Sequence, residues 1–111
     1  MSTISTHILD TALGKPAPGV AMLLEQHGAQ GWVTCARGIT DNDGRLKDLT
    51  PEPLAPGQYR LTAAIGEYFR AGGQETLYVS AQIDFVLTES ASHYHLPFLI
   101  SPWSWSTYRG S

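Results

Sequence analysis

The chain has a single cysteine, Cys35, among its 111 residues and therefore cannot form an internal disulfide. This scarcity of cysteine is typical of a reducing compartment and predicts a cytoplasmic protein. Cys35 lies in GWVTCARG among strand-forming residues, so we predict a buried structural thiol rather than a nucleophile. The first ten residues have neither a basic region nor an apolar run, and they predict no signal peptide.

Clustered positive charge and long hydrophobic runs are also missing. The net charge is −3 and the seven basic residues are scattered, which argues against a nucleic-acid partner. No apolar stretch approaches the ~20 residues of a membrane-spanning helix, so we expect no membrane partner. The hydrophobic fraction of 42% still predicts a folded core, and the length favours one domain over residues 1–111.

What the chain does contain is a series of short, half-apolar segments separated by turn residues. Near the N-terminus, TISTHILD alternates, with Ile4, Thr6 and Ile8 on one face. One helix is expected in EYFRAGG (67–73), which ends at two glycines. We predict an all-β sandwich of two antiparallel sheets with seven or eight strands and this one short helix. The main predicted strands lie at 3–10, 20–27, 31–40, 58–66, 82–89, 93–100 and 104–109.

Histidines and one arginine are the candidates for chemistry. His93 and His95 point to the same face of a strand, because strand side chains repeat every two residues. Such a pair can bind zinc, but no Cys, His or carboxylate cluster lies at metal spacing, so we predict no metal and no other cofactor. Arg45 follows the turn DNDG, and its guanidinium could grip a planar anionic ligand. Taken singly, these residues and His7 are most simply structural or solvated, and His27 is expected to be exposed without a role.

The C-terminal segment SPWSWSTYRGS reads as a last strand followed by hydrogen-bond donors. Trp103, Trp105 and Thr107 alternate, and Tyr108 and Ser111 could donate hydrogen bonds to a ligand. The chain has no nucleophile elbow, phosphate-binding loop or zinc-protease motif. Residue types alone therefore leave open whether this segment belongs to a site.

Four segments taken in order resemble one known family. ISTHILDTALGKPAPGV, DNDGR, HYHLPFLISPW and the terminal STYRGS are similar to the motifs of the 5-hydroxyisourate hydrolases, which are relatives of transthyretin. The resemblance implies a transthyretin-like (prealbumin) sandwich assembled as a homotetramer. It also implies active sites in the channel between dimers, lined by more than one subunit.

The same resemblance implies the site residues and the reaction. His7, Arg45, His95 and Ser111 match the family's catalytic residues, and His7, Arg45, Tyr108 and Ser111 match those that bind substrate. The implied reaction hydrolyses 5-hydroxyisourate to 2-oxo-4-hydroxy-4-carboxy-5-ureidoimidazoline in urate catabolism. Water, assisted by histidine and without metal, attacks the lactam. Two points stay open: which histidine is the base, and whether Ser111 is a nucleophile or only binds substrate.

Two other function classes compete with this interpretation. A small-molecule carrier of the transthyretin type would use the same channel without turnover, but would have no need of the histidines, Arg45 and the YRGS end together. A non-catalytic interaction module would bind partners through aromatic side chains such as Trp103 and Trp105. Decay of 5-hydroxyisourate absorbance distinguishes the enzyme from both.

Overall fold

Two stacked sheets make up the fold. The computed structural model describes residues 1–89 and 92–110, and Ser90, Ala91 and Ser111 lie outside the described residues. One sheet has the strand order β2-β1-β8-β9, with β5 also paired to β1, and the other has the order β4-β3-β6-β7. The elements are β1 (Thr3–Asp10), β2 (Lys15–Pro16), β3 (Ala21–Gly28), β4 (Gly31–Ile39), β5 (Arg45–Leu46), β6 (Gly57–Ala63), α1 (Ile65–Ala71), β7 (Ala81–Leu87), β8 (His93–Ser101) and β9 (Ser104–Thr107).

The predicted all-β sandwich with one short helix is confirmed, with two differences in detail. Nine strands are present among the described residues, because the two-residue strands β2 and β5 lie in segments predicted as turns. The other difference is that β1 and β8 pair in parallel over eight residues, while every other strand pair is antiparallel. The parallel pair is possible because more than 80 residues connect these strands through the second sheet, so no tight hairpin sets their direction.

The core lies between the sheets and follows the alternation of the strands. In β1 the even-numbered residues are buried and the odd-numbered ones are partly open to solvent. The even set includes Thr6, whose hydroxyl donates to the Leu96 carbonyl at 2.7 Å, so this polar side chain is satisfied inside the core. The odd set therefore occupies the outer face. The largest fully buried side chains are Tyr59, Phe69, Phe98, Ile4, Ile8, Leu24, Leu49, Leu61, Ile65, Leu87, Ile100 and Val20.

The helix begins two residues earlier than predicted, at Ile65. Ile65 and Phe69 are buried, one turn apart, and fasten the helix to the core. The helix ends at Ala71 and is capped by Gly72, and Gly73 follows with a φ of 77°, a conformation that glycine adopts without strain. No helix in the described ranges is long and apolar enough to cross a membrane.

The prediction that Cys35 is buried is wrong. Its strand, β4, is an edge strand, and the Cys35 side chain is exposed, with its sulfur 3.8 Å from the Val33 carbonyl oxygen. Strand-forming neighbours indicate a strand but not its position in a sheet, so the sequence pattern could not distinguish an edge from the centre. Partial burial and then the nearby Glu25 carboxylate raise the pKa of the thiol, which keeps it protonated and weakly nucleophilic.

Candidate active site

The outer face of the first sheet collects the polar residues of β1 and β8. Ser5 and His7 belong to the partly open set of β1. Across the parallel pair, Ser5 lies beside His95 and His7 lies beside Pro97. Because neighbouring residues of paired strands point to the same side, Ser5, His7, His93 and His95 share one surface. We call this surface, together with Arg45, the histidine face.

The DNDGR turn brings Arg45 to this face. The Asp41 carboxylate accepts hydrogen bonds from the backbone N–H groups of Asp43 and Arg45, both at 2.9 Å, which closes the turn. These bonds, led by the one from Arg45, hold the pKa of Asp41 below its ordinary value. Gly44 has a φ of 73°, and a Cβ there would collide with the Ile8 carbonyl oxygen. The turn therefore lies tightly against β1, and Arg45 pairs directly with His7.

His7 is held in one tautomer by the same turn. Its Nε2 lies 2.8 Å from the backbone carbonyl oxygen of Asp43. A carbonyl can only accept, so Nε2 carries the proton and donates it to Asp43. The other ring nitrogen, Nδ1, is then the acceptor of the neutral ring. The backbone bond orients the imidazole and keeps its Nε2 proton in place.

His95 has a different environment. Its Nδ1 lies 2.8 Å from the Ser5 hydroxyl, which can either donate or accept, so the protein does not impose one tautomer. Burial is the largest influence on its pKa, followed by electrostatic interaction with Arg45, His7 and His93, and all of them lower it from 6.5. A lowered pKa keeps the imidazole neutral near pH 7, which is the form that accepts a proton.

The C-terminal segment closes over His95. The N–H of Gly110 donates to the His95 carbonyl at 2.7 Å, and a Cβ on Gly110 would come within 2.8 Å of the His95 ring carbon Cδ2. The Arg109 guanidinium stacks 4.1 Å above the centre of the Tyr94 ring, a cation–π contact that holds the segment to β8. Tyr108 follows β9 and is 56% exposed. A larger residue at position 110 would therefore displace the His95 ring.

The structure thus brings together three of the predicted catalytic residues, His7, Arg45 and His95. Tyr108 lies in the segment that leads to Gly110, and Gly110 forms a β-bridge with His95. Ser111 lies outside the described residues, so its role stays a prediction. Sequence reasoning missed Ser5, although its two-residue spacing from His7 puts both on one face. Its contact with His95 depends on the parallel pairing, which no local signal indicated.

The His93-x-His95 pair is engaged in hydrogen bonds with hydroxyl groups. His93 Nδ1 lies 2.7 Å from the Thr3 hydroxyl, and its Nε2 lies 2.8 Å from the Ser5 hydroxyl. In the part of the chain that the structure describes, no three His, Cys, Asp or Glu side chains are grouped to hold a metal ion. His27 is exposed as expected, and its ring packs edge-on against Trp32 at 5.0 Å.

Together the fold and this face define a two-sheet β-sandwich whose first sheet presents two histidines and an arginine beside the segment that leads to Gly110. The model of the HIUase/Transthyretin family matches residues 4–110, and the chain belongs to that family. It is 45% identical over 109 residues to a 5-hydroxyisourate hydrolase of Salmonella typhimurium. The aligned region covers 97% of this chain and 80% of the relative.

Solved structures give the same result. The structure of Klebsiella pneumoniae 5-hydroxyisourate hydrolase superimposes with a TM-score of 0.90 at 48% identity, covering 100% of this chain and 94% of the other. Transthyretin from Sparus aurata also gives a TM-score of 0.90, at 32% identity, covering 96% and 95%. The predicted transthyretin-like fold is confirmed. Equal fold similarity to both proteins means that the fold alone does not separate enzyme from transthyretin.

Proposed function

We propose that this protein hydrolyses 5-hydroxyisourate to 2-oxo-4-hydroxy-4-carboxy-5-ureidoimidazoline in urate catabolism. Its relatives at 45–48% identity are named 5-hydroxyisourate hydrolase, and on that relationship the chain is an enzyme of the hydrolase class. The observation that carries the proposal is the convergence of His7, Arg45 and His95, from three strands, on one face of the first sheet. The cytoplasmic location and the single domain over 1–111 are part of the same proposal.

The geometry favours His95 as the general base. Its pKa is lowered, chiefly by burial, and its Nδ1 bond to Ser5 does not restrict which nitrogen carries the proton. His7 is committed to donating Nε2–H to the Asp43 carbonyl, so it is better suited to orient water or substrate through its other nitrogen. General acid–base assistance of this kind contributes about 10²–10⁴-fold to a rate.

Arg45 is the group proposed to bind the substrate and stabilise the oxyanion. Its guanidinium has no carboxylate partner among residues 1–89 and 92–110, so its charge is available to a ligand. A planar fork of N–H donors suits the carbonyl-rich purine ring, and it stabilises the negative charge that forms as water adds to the lactam. Two imidazoles and this guanidinium supply base, acid and charge stabilisation, so the proposed reaction uses no metal and no other cofactor.

Tyr108 and Ser111 are proposed to hold the substrate ring from the chain end. Tyr108 is exposed, and two residues later the backbone N–H of Gly110 donates a hydrogen bond to the carbonyl of His95. Binding is the proposed role of Ser111, and a serine nucleophile is the variant that a trapped acyl-enzyme would support.

The open surface of the site supports a homotetramer. Arg45 and Tyr108 are exposed in the single chain, whereas charge stabilisation of an oxyanion is strongest where water is excluded. A second copy placed over the histidine face would supply that enclosure. Analytical ultracentrifugation is expected to give the mass of a tetramer, and a monomer with full activity would overturn the shared site.

The decisive experiment adds the protein to freshly generated 5-hydroxyisourate and follows its ultraviolet absorbance. The wild-type protein is expected to accelerate the decay above the spontaneous rate, and removal of residues 108–111 is expected to abolish the acceleration. A carrier of the transthyretin type would instead bind the compound without turnover. Saturable binding with an unchanged decay rate would therefore exclude the enzymatic proposal.

A further inference from the structure

A continuous line of hydrogen bonds leads from His95 to the exposed edge of the histidine face. Ser5 Oγ lies 2.8 Å from His95 Nδ1 and 2.8 Å from His93 Nε2. The opposite nitrogen of the second ring, His93 Nδ1, lies 2.7 Å from Thr3 Oγ1. His95 is half-buried while His93 is exposed, so the line runs from the site outward to solvent. Every heavy-atom distance in it is that of a good hydrogen bond.

Each member of this line can both donate and accept, which permits two complete patterns. In one, His95 donates Nδ1–H to Ser5, Ser5 donates to His93, and His93 donates to Thr3, leaving His95 Nε2 free to accept. In the other, all three bonds are reversed and His95 carries its proton on Nε2. The tautomers of His93 and His95 are therefore linked through the Ser5 hydroxyl.

The charged and ionisable groups around His95 disfavour its protonated form, and the linked tautomers offer a way to avoid that form. His7 on β1, Arg45 on β5 and His93 on its own strand all face it with positive or ionisable groups. A second full positive charge on His95 beside Arg45 is unfavourable in a partly buried site. Moving the proton outward to His93, where water can solvate it, avoids that charge.

We propose that Ser5, His93 and Thr3 form a proton relay that serves His95, with Ser5 and His93 as its positioning residues. This inference rests on the proposed hydrolysis, in which His95 takes a proton from water. As the bond between the water oxygen and the lactam carbon forms, that proton passes to His95 Nε2. The Nδ1 proton of His95 then passes to Ser5, and the Ser5 proton passes to His93 Nε2.

At the outer end of the relay, a proton leaves the protein for solvent. His93 releases its Nδ1 proton to Thr3, whose own hydroxyl proton goes to solvent, so each residue ends with as many protons as it began. When the ring nitrogen of the substrate departs, His95 donates its Nε2 proton to it and the line reverts, with Thr3 recovering a proton from solvent. One histidine thereby acts as base and then as acid without remaining charged.

Kinetics of paired variants test the relay. Ser5→Ala is expected to lower kcat roughly 10-fold with KM unchanged, a part of the general acid–base contribution. Ser5→Thr keeps the hydroxyl and should restore kcat.

His93→Gln tests the second member of the relay. Its amide can still hydrogen-bond to Ser5 but cannot pass a proton, so kcat should fall as it does in Ser5→Ala. The double variant of Ser5 and His93 should lose no more kcat than either single variant. Thr34→Ala, which removes an exposed hydroxyl from β4 in the other sheet, is the matched control and should retain kcat.

Nitrogen-15 NMR of the histidine rings provides a test that does not depend on turnover. His93→Gln is expected to shift the ring nitrogen frequencies of His95 when Ser5 is present and to leave them unchanged in the Ser5→Ala protein. If the wild-type protein failed to hydrolyse 5-hydroxyisourate but kept this coupling, the proposed function would fail while the linkage stood. Unshifted His95 nitrogens, or wild-type kcat in His93→Gln, would overturn the relay.

Discussion

The outer faces of the two sheets each carry an arginine, and within the described residues only the arginine of the second sheet forms an ion pair with a carboxylate. On the second sheet, Arg60 donates to both carboxylate oxygens of Asp84, at 2.7 and 3.2 Å, and stacks 3.9 Å above the Trp32 ring. On the histidine face, Arg45 has no such partner. Within the described ranges, Arg60–Asp84 is the only ion pair. The charge of Arg60 is thus neutralised by Asp84, whereas the charge of Arg45 acts on neighbouring groups such as His95.

This difference affects the pKa values of neighbouring groups. Hydrogen bonding to Arg60 is the main reason that the pKa of Asp84 is lowered, which stabilises the charged form of both partners. Arg45 instead contributes, after burial, to lowering the pKa of His95, which favours a neutral imidazole. A paired arginine is typical of a structural surface, whereas an unpaired one beside a histidine is typical of a site that handles charge.

The strongest test of this comparison exchanges one histidine on each face for asparagine. His95→Asn removes the proposed base and is expected to lower kcat/KM on 5-hydroxyisourate by about 10²–10⁴-fold. His27→Asn alters an exposed ring that packs against Trp32 in the other sheet and should leave kcat/KM unchanged. The absorbance assay measures both. Equal activity of the two variants would remove the functional distinction between the faces.

A second substitution moves His95 without changing it. Gly110→Ala introduces a Cβ within 2.8 Å of the His95 ring, which must shift, and kcat/KM should fall between about 10- and 100-fold. Gly72→Ala is the control, because its Cβ would meet the Phe69 carbonyl oxygen at an ordinary 3.5 Å. Crystal structures or NMR spectra of the variant would report the displacement. Full activity in Gly110→Ala would contradict the close fit at the chain end.

A third prediction concerns pH. Since His95 must be neutral to accept a proton and its folded pKa lies below 6.5, kcat/KM should be retained at pH 6.5 and fall only as the pH drops through that lower value. Arg45→Gln removes one cause of the shift and should move the acid limb to higher pH, apart from any loss in rate. Arg60→Gln, on the other face, should leave the limb where it is. An acid limb above 6.5 in the wild-type protein would argue against His95 as the base.

The smallest expected effect is on stability. Asp84→Asn breaks the ion pair with Arg60 and should lower Tm by no more than a few degrees without changing kcat/KM, because exposed ion pairs contribute little. The folded pKa of Asp84 lies below 3.8, so the contribution is present above pH 3.8 and disappears as the pH falls through the folded value. Thermal unfolding at pH 7 and pH 3 measures it. A loss of activity in Asp84→Asn would link the two faces and contradict their independence.

The residue pattern within short segments was sufficient to predict most of the fold and part of the site. The alternation in β1 predicted correctly that Ile4 and Ile8 share one face, and the Asp and Gly residues of DNDGR predicted the turn that presents Arg45. The two glycines after the helix likewise marked its end. These features depend on φ preferences, side-chain period and hydrogen bonds within a few residues, all of which are properties of short segments.

The sequence by itself therefore determined the main strands, the two faces of β1, and which side chains are available for chemistry. Only the tertiary structure decided that β1 pairs in parallel with β8, that Cys35 lies on an edge, and that Ser5 joins His93 to His95. The physical reason is that a two-residue period specifies a face but not a partner. Partners are chosen by packing between segments that lie up to about ninety residues apart in the chain.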